Sequence, residues 1–192
     1  LIPEKGVISK PLFTHELLHL NLRVNGIDND QSLRNSIEKH SLFDVLNISE
    51  DNFSFIHNFL DHIIIFKDFK DMGYKDNEFV SDYNEDKFNN IIKRYLINEF
   101  ENKKPSDYAV SFYIAKYIGL RSPVFNRNYS KSFKIMENLN PKLYQICKFF
   151  IDKYQLIASE EYNTIADQYN NIVDEFIFDL KHVLITQTAR SK

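Results

Sequence analysis

A chain of 192 residues that is 43% hydrophobic and 15% aromatic is long enough for one well-filled domain. Its net charge of −3, with acidic and basic residues interspersed, lacks the basic footprint of a nucleic-acid binder, so no nucleic-acid partner is expected. One cysteine, Cys147, excludes an internal disulfide framework and fits a reducing, cytoplasmic compartment.

Only 4 Gly and 5 Pro punctuate the sequence, which favours long helices. Val7-Ile8-Ser9 reads as the end of a short extended segment. Ser9 is placed to cap a first helix from Lys10 to Val24, with Pro11 in its first turn and Asn25-Gly26 as its stop. Residues 31 to 47 read as a second helix, with Leu33, Ile37, Leu42, Val45 and Leu46 on its apolar positions. Ser49 or Asp51 caps a third, which runs to about Met72 and ends at Gly73. A loop, Tyr74 to Tyr83, follows. Four more helices are expected at 86–102, 106–119, 129–156 with a break at Pro141, and 159–188, on apolar residues spaced by three and four. No run of alternating strands stands out, and no apolar run approaches the roughly 18 residues of a membrane span. The expected class is mainly α, with little or no sheet and no membrane partner. Residues 1–80 would carry the functional helices, and residues 81–192 would form a helical extension packing on the same core.

The first helix carries His15-Glu16-Leu17-Leu18-His19. Two histidines four apart on a helix stand about 40° apart around its axis and about 6 Å along it, so both rings reach one ion. Glu16 beside them is a general base for a zinc-activated water. From this chain's composition such a match arises by chance on the order of once in a hundred chains.

A catalytic zinc takes three protein ligands. The third helix is apolar around most of its circumference, through Phe53, Phe55, Ile56, Phe59, Leu60, Ile63, Ile64 and Phe66. A narrow polar stripe crosses it: Ser54, His57, Asn58, Asp61 and His62. Spacing by three and four puts these residues on one face. An exposed amphipathic stripe would look the same, but His15 and His19 upstream make a ligand-bearing helix the better account. His62 is the preferred third ligand, with Asn58 one turn earlier as the group that fixes its ring. Asp61, Glu38 and His57 are the alternatives.

The five-residue motif resembles that of the zincin metallopeptidases, including small bacterial members that share the His-Glu-x-x-His start. The resemblance covers roughly the first 75 residues and is specific at His15, Glu16 and His19. It implies zinc bound by the two histidines, Glu16 as general base, a third ligand on a later helix, and a peptide or protein substrate. The metzincin extension would need Gly at 22 and His at 25, where this chain has Leu22 and Asn25. The thermolysin-like branch needs an adjacent Asn-Glu pair, and Asn35 and Glu38 are separated. Zincins place a β-sheet before the active-site helix. With 14 residues ahead of His15, a sheet would belong to a segment upstream of Leu1, or another groove serves. An oxyanion formed during hydrolysis needs a donor besides the metal, and Tyr74, Tyr108 and Tyr113 are the tyrosines considered for it.

Two other classes remain open from the sequence. Arg34-Asn35 with His40 six residues after the arginine resembles the Arg-x4–6-His motif of HEPN ribonucleases. A non-catalytic helical interaction or immunity module would instead use exposed aromatics such as Tyr117, Tyr129 and Tyr169.

Overall fold

A computed structural model describes residues 9–102, 104–125, 127–158, 160 and 162–189. Eight α-helices and no strands are found among them: α1 (Lys10–Val24), α2 (Asn29–Lys39), α3 (Glu50–Asp71), α4 (Asn90–Glu101), α5 (Asp107–Arg121), α6 (Ser130–Leu139), α7 (Pro141–Ile157) and α8 (Tyr162–Ala189). The mainly α class expected from the sequence is what the chain adopts. Val7 and Ile8 of the expected extended segment lie outside the described residues. No helix among those described is long and apolar enough to cross a membrane.

Local chemistry sets the boundaries. The Ser9, Asp28, Ser49, Asn89, Ser106 and Asn140 side chains each accept a hydrogen bond from a first-turn amide of the helix that follows. Pro141 stands at the first position of α7, where its missing N–H costs nothing. Helix α1 stops in a Schellman arrangement. The Ile27 amide donates to the Leu22 carbonyl, the Gly26 amide donates to Arg23, and Gly26 has φ +82°. Ile27 and Leu22, apposed by that turn, are both buried.

Two boundaries differ from the expectation. The second helix does not continue to 47. It ends at Lys39, Ser41 takes a left-handed conformation at φ 50°, and a 3-10 turn spans Leu42–Asp44. The kink lets Leu42 and Leu46 both reach the core, at 0% and 1% exposure. The loop after α3 also runs longer, with α4 starting at Asn90, because Asn89 is its cap; Asp76–Glu78 form a 3-10 turn within that loop.

Helix α3 is the central element. It packs against α1, α2 and α5; α5 in turn meets α7, and α8 closes over α2 and α7. One buried apolar cluster runs from Leu18 and Leu22 in α1 through Leu60 and Ile64 in α3 to Ile151 in α7 and Leu180 in α8. Tyr117, Tyr129 and Tyr169, read from sequence as exposed docking residues, are buried in this cluster; their hydrophobic rings stabilise the core more than water would solvate the hydroxyls. The α3–α5 contact is close. A Cβ on Gly119 would stand 2.8 Å from the Phe59 ring, so only glycine fits there without displacing it.

Replacing Gly26 by Ala puts a Cβ into left-handed backbone, although the nearest atom, Ala166 Cβ, would be in ordinary contact at 3.5 Å. The expected loss is about 1–2 kcal/mol of unfolding free energy in urea titration, from backbone strain alone. An unchanged midpoint would show that the α1–α2 turn relaxes to another geometry.

Candidate metal centre

Helices α1 and α3 cross so that His15 and His19 face His62. The ring centroids of His15 lie 4.8 Å from His19 and 5.0 Å from His62, and His19 lies 5.4 Å from His62. One nitrogen from each ring falls within 4.8 Å of the other two. The Nε2 atoms of His15 and His19 are 3.0 Å apart. Tetrahedral zinc, with Zn–N bonds of about 2.0–2.1 Å, sets its ligand nitrogens about 3.3 Å apart. To close on one ion the His15–His19 pair opens by a few tenths of an ångström and the wider spacing within the triad draws inward.

The orientation of His19 is held from behind. Its Nδ1 lies 2.9 Å from Asp61 Oδ2. An ionised carboxylate can only accept, so the proton sits on Nδ1 and Nε2 presents a lone pair to the centre of the triad. The other Asp61 oxygen accepts from Asn29 Nδ2 at 2.7 Å, and Asn29 Oδ1 accepts from the Tyr154 hydroxyl at 2.5 Å. Burial, then the Asp61 charge, raise the Tyr154 pKa well above its ordinary value, which keeps it a donor. A continuous chain of three hydrogen bonds therefore runs from α7 through α2 and α3 to α1.

His62 is 3% exposed, and neither of its ring nitrogens has a hydrogen-bond partner; His15 Nδ1 is also without one. Buried polar atoms are rarely left this way. A metal ion would satisfy one nitrogen of His62 and convert an energetic penalty into a bond. The residues therefore fit the ion. The Phe79 ring packs at 4.5 Å from His15 and 4.9 Å from His62, closing the dry side of the site.

The triad opens into a cleft of about 610 Å³. Glu16 lines this cleft and is exposed. His57 and Asn58 line it too, half-buried, and His57 rests near Phe53 with centroids 5.7 Å apart. Of the alternatives for third ligand, Asp61 is occupied by His19 and Asn29, and Glu38 is exposed on α2 and does not line the cleft. Asn58 does not hold the His62 ring, since that ring has no hydrogen bond; the bracing carboxylate is Asp61, and it acts on His19 instead.

The three tyrosines considered as oxyanion donors all lie away from the cleft lining. Tyr74 stacks on Phe69 and its hydroxyl accepts from Thr14 at 3.0 Å. Tyr108 stacks on Phe112, and Tyr113 is buried with its hydroxyl donating to the Met136 carbonyl. Their rings serve packing. Arg34 turns toward α3, over Phe53 and beside Glu50, whereas His40 turns toward Asp174 on α8, so the pair considered for a ribonuclease faces two different helices.

Four contributors had no role in the sequence reading: Asn29, Tyr154, Phe79 and Arg23. Arg23 lines the cleft and had a legible signal, standing four residues after His19 on the same face of α1. The other three come from distant or irregular segments and left none.

No known protein family, curated protein or solved structure matches this chain.

Burial first, and then the neighbouring His19, lower the His15 pKa from 6.5 to about 4; the Phe79 backbone and the Asp61 charge pull weakly the other way. Burial and both neighbouring histidines lower His62 in the same direction. The folded state thus binds fewer protons than the unfolded chain between about pH 6.5 and 4, and stability is lost on acidification through that window. The urea midpoint of metal-free protein should fall steadily from pH 7 to pH 5, and the slope should flatten in a His15→Gln/His62→Gln double variant. A flat profile in the parent chain would contradict neutral, buried imidazoles.

The brace on His19 yields a second expectation. Asp61→Asn keeps the shape but takes away the charge that orients the ring, and should weaken zinc affinity by about 10- to 100-fold in competition with a chromogenic chelator. Tyr154→Phe, which leaves Asn29 Oδ1 unpaired, should weaken it in the same direction by a smaller factor. Equal affinities in all three proteins would mean that the hydrogen-bond chain has no bearing on the triad.

Proposed function

We propose that this protein is a zinc-dependent hydrolase, most simply a metallopeptidase that cleaves a peptide or protein substrate with Glu16 as general base. The observation that carries this reading is the convergence of three histidines from two helices, one braced by a buried carboxylate and one buried without a hydrogen bond. A structural role for the same residues would leave the His62 nitrogens unsatisfied and give Asp61 nothing to orient.

His15, His19 and His62 hold the ion in this reading. When bound, zinc supplies Lewis acidity and lowers the pKa of a coordinated water toward about 7. Glu16 follows His15 directly, lines the same cleft, and has no ion-pair partner among the described residues. Its carboxylate is free to take a proton from water in the cleft and pass it to the leaving nitrogen. Phe59 and Phe79 narrow the solvent path to the histidines, which strengthens every charge interaction at the site. Among the described residues that line the cleft, Arg23 is the cation available to negative charge.

Purified protein should carry about one zinc per chain by elemental analysis, as a three-histidine site requires, and His62→Ala should lose it. Glu16→Gln should keep the zinc while hydrolysis of a mixed peptide pool falls by at least about 100-fold. Absence of zinc, or full activity in Glu16→Gln, would defeat the proposal.

A further inference from the structure

Arg23 is the only Lys or Arg among the described residues that line the cleft, and its guanidinium makes no ion pair or hydrogen bond with any described residue. The acids around it are mostly committed. Asp61 accepts from His19 and Asn29, and Asp82 pairs with Lys87. The remaining open acid is Glu16, seven residues earlier on α1 and so roughly 10 Å along the helix axis. The cleft is thereby polarised along α1, with His15 and an open carboxylate toward one end, His19 between, and an open guanidinium at the other.

We propose that Arg23 binds a carboxylate of the substrate, so that the site takes acyl compounds with a negative group close to the reacting carbonyl and an apolar side chain beside it. This rests on the hydrolase reading and specifies its substrate class. Arg23 stands one helical turn, about 6 Å, beyond His19. In a peptide, consecutive Cα atoms lie about 3.8 Å apart, so a carboxylate one residue from the reacting carbonyl is within the span of the long arginine side chain. A guanidinium offers two parallel donors to a carboxylate, a geometry that lysine cannot copy. Phe55, Phe59, Val80 and Phe125 supply the apolar walls for a neighbouring side chain. The carboxylate comes either from a free C-terminus or from an internal Asp or Glu.

A basic residue in the last turn of α1 also favours the negative end of the helix dipole, a role that any cation fills. Arg23→Lys separates the two roles, since it keeps that role and loses the paired donors.

Calorimetry of the zinc-loaded protein with two probes tests the subsite. Benzylsuccinate carries two carboxylates around a phenyl group, and phenylpropionate carries one. Benzylsuccinate should bind at least about tenfold more tightly, the usual worth of a charge-assisted pair. Arg23→Gln should erase the difference, and Arg23→Lys should lose most of it with an unchanged melting temperature. Equal binding by parent chain and Arg23→Gln overturns the proposal. In metal-free protein, benzylsuccinate should still prefer the parent chain over Arg23→Gln, so the arginine is tested even if zinc fails to load and the hydrolase reading falls. Competition by an acetylated tripeptide ending in a free phenylalanine, against its amidated form and an amidated tripeptide with internal glutamate, identifies the source of the carboxylate. Competition by none of the three also overturns the proposal.

Discussion

The site depends on one buried carboxylate. Asp61 sits at 6% exposure between α1, α2 and α3, and both its oxygens are engaged, by His19 and by Asn29. Without Asp61, His19 would be free to rotate or to swap its proton between nitrogens, and Nε2 would no longer point at His15 and His62. A carboxylate left in that position without donors would carry a heavy desolvation penalty, so the fold must supply them. It does so with residues that have no chemistry of their own. Asn29 relays the Tyr154 hydroxyl to Asp61, and Tyr154 is anchored in the core by its ring contact with Tyr169 at 4.7 Å. The histidine geometry is thus tied to α7, 125 residues away in sequence from its partner Asn29.

Packing makes this arrangement rigid. Leu18 and Leu22 lie one turn apart on α1 and bury at 4% and 0% exposure. Each contributes roughly 1.5–3 kcal/mol by leaving water. They fix which face of α1 meets α3, and that choice turns His15 and His19 inward and Glu16 outward. On α3, Leu60 and Ile64 lock the register in the same way, presenting Asp61 and His62 together. The polar site is held at a place where the surrounding apolar burial easily outweighs the cost of desolvating three imidazoles.

What could be read from the sequence follows from this geometry. The His15–His19 pair was legible because a helix converts a spacing of four into a shared face without help from the rest of the fold. His62 was legible for the same reason, as part of a stripe that repeats by three and four. Asp61 was visible as a neighbour but not in its role, because a carboxylate next to a histidine on α3 can serve as ligand or as brace, and only the crossing of α1 decides which. Asn29, Tyr154 and Phe79 left no trace, since their contributions arise from contacts between segments far apart in the chain. The early end of α2 was equally hidden: the pattern of Leu42, Val45 and Leu46 continues a helical period, yet a left-handed Ser41 and a tight turn bury Leu42 and Leu46 almost completely. Tyr74 illustrates the opposite error. It was considered as a donor to the site, but the turn after Gly73 folds its ring onto Phe69.

The all-helical surroundings also bear on how a substrate would be held. Enzymes that bind peptides along the edge of a sheet recognise the backbone through a ladder of hydrogen bonds, which is tolerant of sequence. The described residues contain no strand, and the cleft is bounded by helical side chains and by the loop around Phe79 and Val80. Helix backbones have already spent their donors and acceptors internally. Recognition then falls on side chains: an aromatic wall for apolar groups, one open cation, one open acid. In the proposed hydrolase such a site would discriminate by the charge and shape of a few atoms near the reacting bond, and would gain little from extending along a chain. The proposed carboxylate contact of Arg23 would therefore matter more here than beside a sheet, because no repeating backbone contact among the described residues stands in for it.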